Sequence, residues 1–299
     1  MNVLNTLVAY SLPLVPKFIV RQFSKRYVAG DDIQDAVSVI KALNEKGIVA
    51  TADVLGEFCN ERKKAEASAE IYFELLRAIE HNGLQSHVSV KLTQLGLKID
   101  KTFCLNIVRQ IIKSAKSYNN FVRLDMEDSS CTSDTIDIFL ALKKEYDNVG
   151  VVLQSYLRRT SADAMNLAGV TANIRLCKGI YIEPRTIAYK DPTLINQNFL
   201  SVLEFLLQRR SYTGIATHDE KLVFGAERII ENLKLKTSEY EFQMLLGVDE
   251  ELRDIIVERG HPMRVYVPFG RDWHSYCVRR LKENPQIAGY VMKAMMPVK

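Results

Sequence analysis

The 299-residue chain is 47% hydrophobic and 25% charged, with 40 Lys and Arg against 36 Asp and Glu, long enough for one large domain or two ordinary ones. The net charge of +4 resides wholly in residues 1–30, where Lys17, Arg21, Lys25 and Arg26 precede the first acid, Asp31; the neutral body argues against nucleic-acid binding. Five scattered cysteines (Cys59, Cys104, Cys131, Cys177 and Cys277) form no C-x-x-C pair, which excludes a disulfide framework and a zinc knuckle and suits a reducing, cytoplasmic setting.

The chain opens with a basic helical arm, residues 1–30. Its apolar stretch 3–15 is interrupted by Pro13 and is followed, not preceded, by basic residues, unlike a secretory signal. No uncharged run reaches the ~18–20 residues of a membrane span. Residues 16–27 set Phe18, Ile19, Phe23 and Tyr27 among the four bases, an amphipathic pattern. It serves as a transit segment, a peripheral membrane contact or a helix packed on the body.

Residues 31–299 form the second unit. Strands are predicted at 47–54, 87–93, 121–126, 150–154, 173–176, 214–217, 241–245 and 264–267, several of them rich in Val, as buried parallel strands are. Helices are predicted at 65–80, 101–116, 133–146, 196–210 and 222–232, each with apolar residues at helical spacing. Strand and helix alternating eight times over about 220 residues implies an α/β fold, a TIM-type (β/α)8 barrel; an open doubly wound sheet is the alternative.

Nearly every predicted strand ends in a polar group: Asp53, Lys91, Asp125 with Glu127, Gln154, Arg175 with Lys178, and Thr217-His218-Asp219, while Gln243 and Tyr266 lie on the seventh and eighth. A barrel brings these ends to one mouth, where such folds keep their active sites. No H-x-H or H-E-x-x-H pairing is present, and the bases crowd the mouth, so no metal is expected. Lys91 and Lys178 stand where a Schiff-base lysine would, although the nearby acids would hold a lysine charged. G-x-G-x-x-G and G-x-x-x-x-G-K-[ST] are both missing, so a cofactor would be held by side chains; Arg175, Lys178, Gln154 and Thr217-His218 suit phosphates and a flavin ring. The readings left open are flavin-dependent oxidation, a Schiff-base aldolase or lyase, and a barrel that merely binds an amino acid.

A final helix is predicted over the mouth. Trp273, Cys277 and Leu281 form its apolar stripe, with Tyr276, Arg279, Arg280 and Glu283 on the arc beside it. Two adjacent guanidiniums can clamp a carboxylate, and Glu283 can orient either one.

The string Y-V-P-F-G followed by Y-x-x-R-R-L-x-E-N resembles the C-terminal signature of proline dehydrogenases. S-V-K-L-T around Lys91, R-L-D-M-E-D at 123–128, R-L-C-K-G-I-Y at 175–181, A-T-H-D at 216–219 and Y-E-F-Q-M-L-L-G at 240–247 match the same family in the same order. The local departure is Cys177, where the family more often has a small aliphatic residue. The resemblance spans about residues 50–285. It implies an FAD-dependent barrel that oxidises L-proline to Δ1-pyrroline-5-carboxylate and passes electrons to a membrane quinone. It assigns Lys91, Arg279 and Arg280 to the proline carboxylate, and Tyr266 and Tyr276 to the walls around its ring. Arg175 is expected near flavin N5, with Gln154 close by; Met126, Lys178, Gly179, Ile180, Thr217 and His218 are expected to hold the rest of FAD. Asp125 is expected to fix Lys91 or an arginine and to influence the substrate amine. A quinone acceptor implies a location in the cytoplasm with peripheral contact at the inner membrane (mitochondrial in a eukaryote). One barrel and its arm consume the chain, so the next oxidation is expected in a separate protein.

Overall fold

Eight strands close into a parallel barrel in chain order: β1 (Val49–Val54), β2 (Ser86–Val90), β3 (Val122–Leu124), β4 (Val149–Gln154), β5 (Asn173–Cys177), β6 (Thr213–Ala216), β7 (Tyr240–Leu245) and β8 (Met263–Phe269). Pairing of β1 with β8 completes the ring, with Val49 opposite Arg264 and Asp53 opposite Pro268. The computed structural model describes residues 24–277 apart from Thr171 and Ser275. The closed ring removes the open-sheet alternative.

Among the described residues, eight helices alternate with the strands: α1 (Ile33–Asn44), α2 (Arg62–His81), α3 (Lys101–Ser117), α4 (Thr132–Lys143), α5 (Thr160–Ala168), α6 (Pro192–Gln208), α7 (Glu220–Leu233) and α8 (Glu250–Glu258). Their apolar residues recur at helical spacing and turn inward. In α3 the stripe Cys104, Ile107, Val108, Ile111, Ile112 and Ala115 is buried, meeting strand residues such as Val88, Val90 and Val122 in one core. Several starts are capped by side chains. Asp100 accepts from Thr102 and Phe103 N–H, and Asp191 from Thr193 and Leu194 N–H; each satisfies amides that have no partner within the helix.

The five predicted helices are all present. Three others, α1, α5 and α8, fall where no helix is predicted. The α1 helix precedes β1 and packs on both β1 and β8. It thereby occupies the outer wall that a helix following β8 would otherwise cover. The described start of the final helix has helical backbone at Trp273, His274, Tyr276 and Cys277; Arg279, Arg280 and Glu283 lie outside the described residues.

The end of the basic arm packs on the barrel. Tyr27 and Val28 are buried. Ala29 N–H donates to Pro268 O at 2.9 Å, and Arg26 Nε to Gly247 O at 2.8 Å. Residues 1–23 lie outside the described residues.

Candidate active site

The C-terminal strand ends surround a cavity of about 480 Å³, a size typical of small-molecule sites. Lys91, Asp125, Met126, Gln154, Arg175, Lys178, Gly179, Ile180, Thr217, His218, Tyr266 and Tyr276 all line it. Every predicted site residue inside the described region is therefore brought to one place; only Arg279 and Arg280 lie beyond it. A larger cleft of about 980 Å³ lies beside α1, α2 and residues 54–60, and Glu57 lines both.

The centre is a chain of opposite charges. Lys91 is the residue after β2, and its Nζ lies 2.7 Å from both carboxylate oxygens of Asp53, the fifth residue of β1. The same ammonium donates to Tyr266 Oη at 3.3 Å and stands 3.7 Å from Asp125 Oδ2. Burial works against the lysine charge, but Asp53 and Asp125 outweigh it and raise the Lys91 pKa. Burial also pushes the Asp53 carboxyl up, aided by its neighbour Asp125 and opposed by Lys91.

Asp125, next after β3, is saturated with donors. Ser89 Oγ donates to Oδ1 at 2.6 Å, Arg175 Nη1 to the same oxygen at 2.7 Å, and Tyr266 Oη to Oδ2 at 2.7 Å. Burial alone would raise its pKa; Arg175, Lys91 and the two hydroxyls reverse that and hold it below the usual carboxylate range. Asp125 is thus a fixed negative charge. Arg175 is held on a second edge, where Nε donates to Gln243 Oε1 at 2.6 Å. Its guanidinium carbon lies 5.2 Å from the centre of the Tyr266 ring, within cation–π range.

A second group of residues forms the rim. Lys178 Nζ donates to Asp219 Oδ2 at 2.6 Å, while Asp219 also caps α7 by accepting from Lys221 N–H at 3.0 Å. His218 Nε2 accepts from Leu245 N–H at 2.9 Å, so its proton is on Nδ1. Gly179 has φ of +97°, and a Cβ there would come within 2.1 Å of the Tyr156 ring; only glycine lets the backbone line the cavity at this point.

The donor set suits a flavin. Gln154 is buried, its Nε2 donates to Met126 O at 3.3 Å, and its Oε1 has no hydrogen-bond partner among the described residues. A buried oxygen in that state calls for a donor, and a flavin ring carries both donors and acceptors. Arg175 and Lys178 supply positive charge on the same wall.

The lysines are poor Schiff-base candidates. Lys91 is held protonated by two carboxylates and Lys178 is paired with Asp219, whereas attack on a carbonyl needs a free amine. No group of three His, Cys, Asp or Glu that could hold a metal ion occurs among the described residues.

A family model described as proline dehydrogenase matches residues 36–293. The chain belongs to the proline dehydrogenase family. Membership implies a flavin cofactor and places the chain among enzymes. Proline dehydrogenase 1 of Bacillus subtilis (strain 168) is 37% identical over 273 residues, covering 91% of this chain and 90% of its own. The proline dehydrogenase of Deinococcus radiodurans is 36% identical over 278 residues, with the same two coverages. Among solved structures, proline utilization A from Bdellovibrio bacteriovorus, inactivated by N-propargylglycine, superposes with a TM-score of 0.83 at 25% identity. That match covers 88% of this chain and 33% of the other, so the chain spans about a third of the length of that protein.

Several site residues escaped the sequence reading in role. Asp53 is the nearer partner of Lys91, while Asp125 pairs with Arg175, the arginine alternative of the sequence reading. Ser89 and Gln243 fix Asp125 and Arg175, and Asp219 anchors Lys178. Each was visible as a polar residue on or just after a strand. Which one reaches which partner depends on the barrel register, such as Asp53 opposite Ser89, and on no sequence spacing.

Proposed function

We propose that this protein catalyses the FAD-dependent oxidation of L-proline to Δ1-pyrroline-5-carboxylate, the first step of proline catabolism. The observation that carries the reading is Arg175, clamped by Asp125 and Gln243 in a cavity that also presents Lys91 and Tyr266. When bound, FAD supplies the hydride acceptor at its N5, and a membrane quinone takes the electrons onward.

The chain's own residues supply binding and electrostatics. Lys91, with Arg279 and Arg280, holds the proline carboxylate. Tyr266 and Tyr276 enclose the ring and favour unsubstituted proline over a hydroxylated one. The bond next to nitrogen breaks only when the amine lone pair assists, so the substrate reacts as the free amine. A carboxylate clamp of cations binds it without adding a proton to that nitrogen. Arg175 offsets the negative charge that develops on the cofactor, and Asp125 keeps the arginine in place. Gln154, the backbone at Met126 and Gly179, and the side chains of Lys178, Ile180, Thr217 and His218 hold FAD.

The test is product and cofactor analysis of the purified protein. The account expects FAD in the heat-released supernatant and Δ1-pyrroline-5-carboxylate trapped by o-aminobenzaldehyde when proline and a soluble quinone are supplied. Colourless protein that borohydride crosslinks to a carbonyl compound would establish the aldolase reading instead.

A further inference from the structure

Below the mouth, β7 and β8 carry a second polar layer inside the barrel. Glu241 and Gln243 are two residues apart on β7 and therefore point to the same face. Both are buried. Glu241 Oε1 accepts from Arg264 Nε at 2.7 Å and from Gln243 Nε2 at 2.6 Å. Gln243 Oε1 in turn accepts from Arg175 Nε.

This arrangement fixes a choice that an amide ordinarily leaves open. A side-chain amide can present either its oxygen or its nitrogen to a neighbour. A carboxylate only accepts and a guanidinium only donates, so Glu241 on one side and Arg175 on the other permit one orientation. The barrel wall is shaped for it. Gly214 on β6, in register with Glu241, leaves the space that the amide fills: a Cβ at 214 would lie 2.3 Å from Gln243 Nε2.

Arg264 and Glu241 already form a complete buried ion pair, and Arg264 also donates from Nη1 to Ala50 O at 2.5 Å. Tyr212 also hydrogen-bonds the Glu241 carboxylate, alongside the Arg264 ion pair. The bond to Gln243 instead extends the layer upward to Arg175, whose Nη1 is taken by Asp125. Two acceptors on different edges set both the tilt and the rotation of a planar guanidinium.

We propose that Glu241 is a positioning residue for the oxidation: it locks the Gln243 amide so that the Gln243 oxygen orients the Arg175 guanidinium toward the cofactor. The inference rests on the flavin reading of the site, and it adds Glu241, which does not line the cavity, behind Gln243, which does. Misorienting one electrostatic group in a buried site slows chemistry without weakening binding elsewhere.

The experiment is a double-variant cycle on the flavin-loaded enzyme, read by anaerobic stopped flow with proline and by the flavin visible spectrum. Gln243→Met keeps volume and removes the acceptor. Glu241→Gln combined with Arg264→Met removes both members of the ion pair together and leaves the buried Arg123, which Glu241 also faces, on the carbonyl groups of Val151 and Asn173. Each is expected to slow proline-driven flavin reduction about tenfold, with the proline KM changed less than about twofold, and to shift the visible band. Placed on Gln243→Met, the Glu241/Arg264 substitutions are expected to add nothing further. A Gln243→Met enzyme that reduces at the wild-type rate, or effects that multiply in the combined variant, overturns the positioning role alone. Wild-type protein that proline fails to bleach overturns the oxidation reading and this role with it.

Discussion

At Arg175 three neighbours act on one guanidinium: Asp125 on Nη1, Gln243 on Nε and the Tyr266 ring against its face. Replacing it with Met removes the charge and keeps the bulk, so flavin reduction by proline should slow by about 10²-fold, the loss typical of a missing electrostatic group; stopped-flow traces at saturating proline give the figure. Arg280→Met should act differently, raising the proline KM far more than it lowers bound flavin, which steady-state kinetics and the flavin-to-protein absorbance ratio separate. Asp53→Asn should also raise the proline KM, because Lys91 would lose its bidentate counter-charge and turn toward Asp125, 3.7 Å away. Glu127 offers a pH test apart from the chemistry. It is buried beneath Thr93, whose N–H it accepts at 3.0 Å and whose hydroxyl also donates to it. Burial pushes its carboxyl from 4.5 up to about 7. Because the folded value lies above the unfolded one, its contribution is most favourable below about pH 4.5 and is lost as pH rises through 7, by about 3 kcal/mol. Glu127→Gln should melt like the wild type at pH 4.5 and progressively higher than it as pH rises to 8, in paired calorimetric scans.

At the scale of elements, the strands that carry the site are short, and the loops just after them place the chemistry. Lys91, Asp125 and Lys178 each lie within a residue of a strand end, so a shift of register by one position would turn each group away from the mouth. The alternation of Val-rich runs with amphipathic helices made the (β/α)8 order legible from sequence, because burial on both faces leaves that pattern in a parallel strand. The α5 and α8 helices were not legible. Each is nine residues long, too short to display a sustained stripe. The α1 helix has a clear stripe in Ala36, Val37, Ile40 and Leu43, but it precedes the first strand and so falls outside the alternation. The convergence of strand-end polar residues was also readable, whereas their pairings are set by three-dimensional register. One glycine tests this scale. Gly179→Ala should cost most of the bound flavin, since a Cβ there meets the Tyr156 ring and the backbone must retreat from the cavity; the absorbance ratio of purified protein measures it. The same φ is unfavourable for any residue with a Cβ, at a cost of about 1 kcal/mol or more.

For the whole molecule, the one-sided basic charge and the closed barrel bear on how electrons leave. No helix among the described residues is long and apolar enough to cross a membrane. Residues 24–30 run along the ends of β7 and β8, with Tyr27 and Val28 buried and Gly247 giving close passage to the Arg26 backbone; this part of the arm packs on the barrel, as one of the three readings of the sequence expected. Lys17 and Arg21 lie outside the described residues and would be the membrane contact. Deleting residues 1–23 should therefore reduce sedimentation with anionic vesicles at low salt and leave proline-dependent flavin reduction intact; unchanged sedimentation would exclude the arm as the contact. The central claim is that the mouth of this barrel delivers hydride from proline to a bound flavin. Mixing the purified protein anaerobically with L-proline, while following absorbance near the flavin band at ~450 nm, tests it most directly: the account predicts a yellow protein whose band bleaches at a rate that saturates with proline, and a band that persists at saturating proline would contradict it.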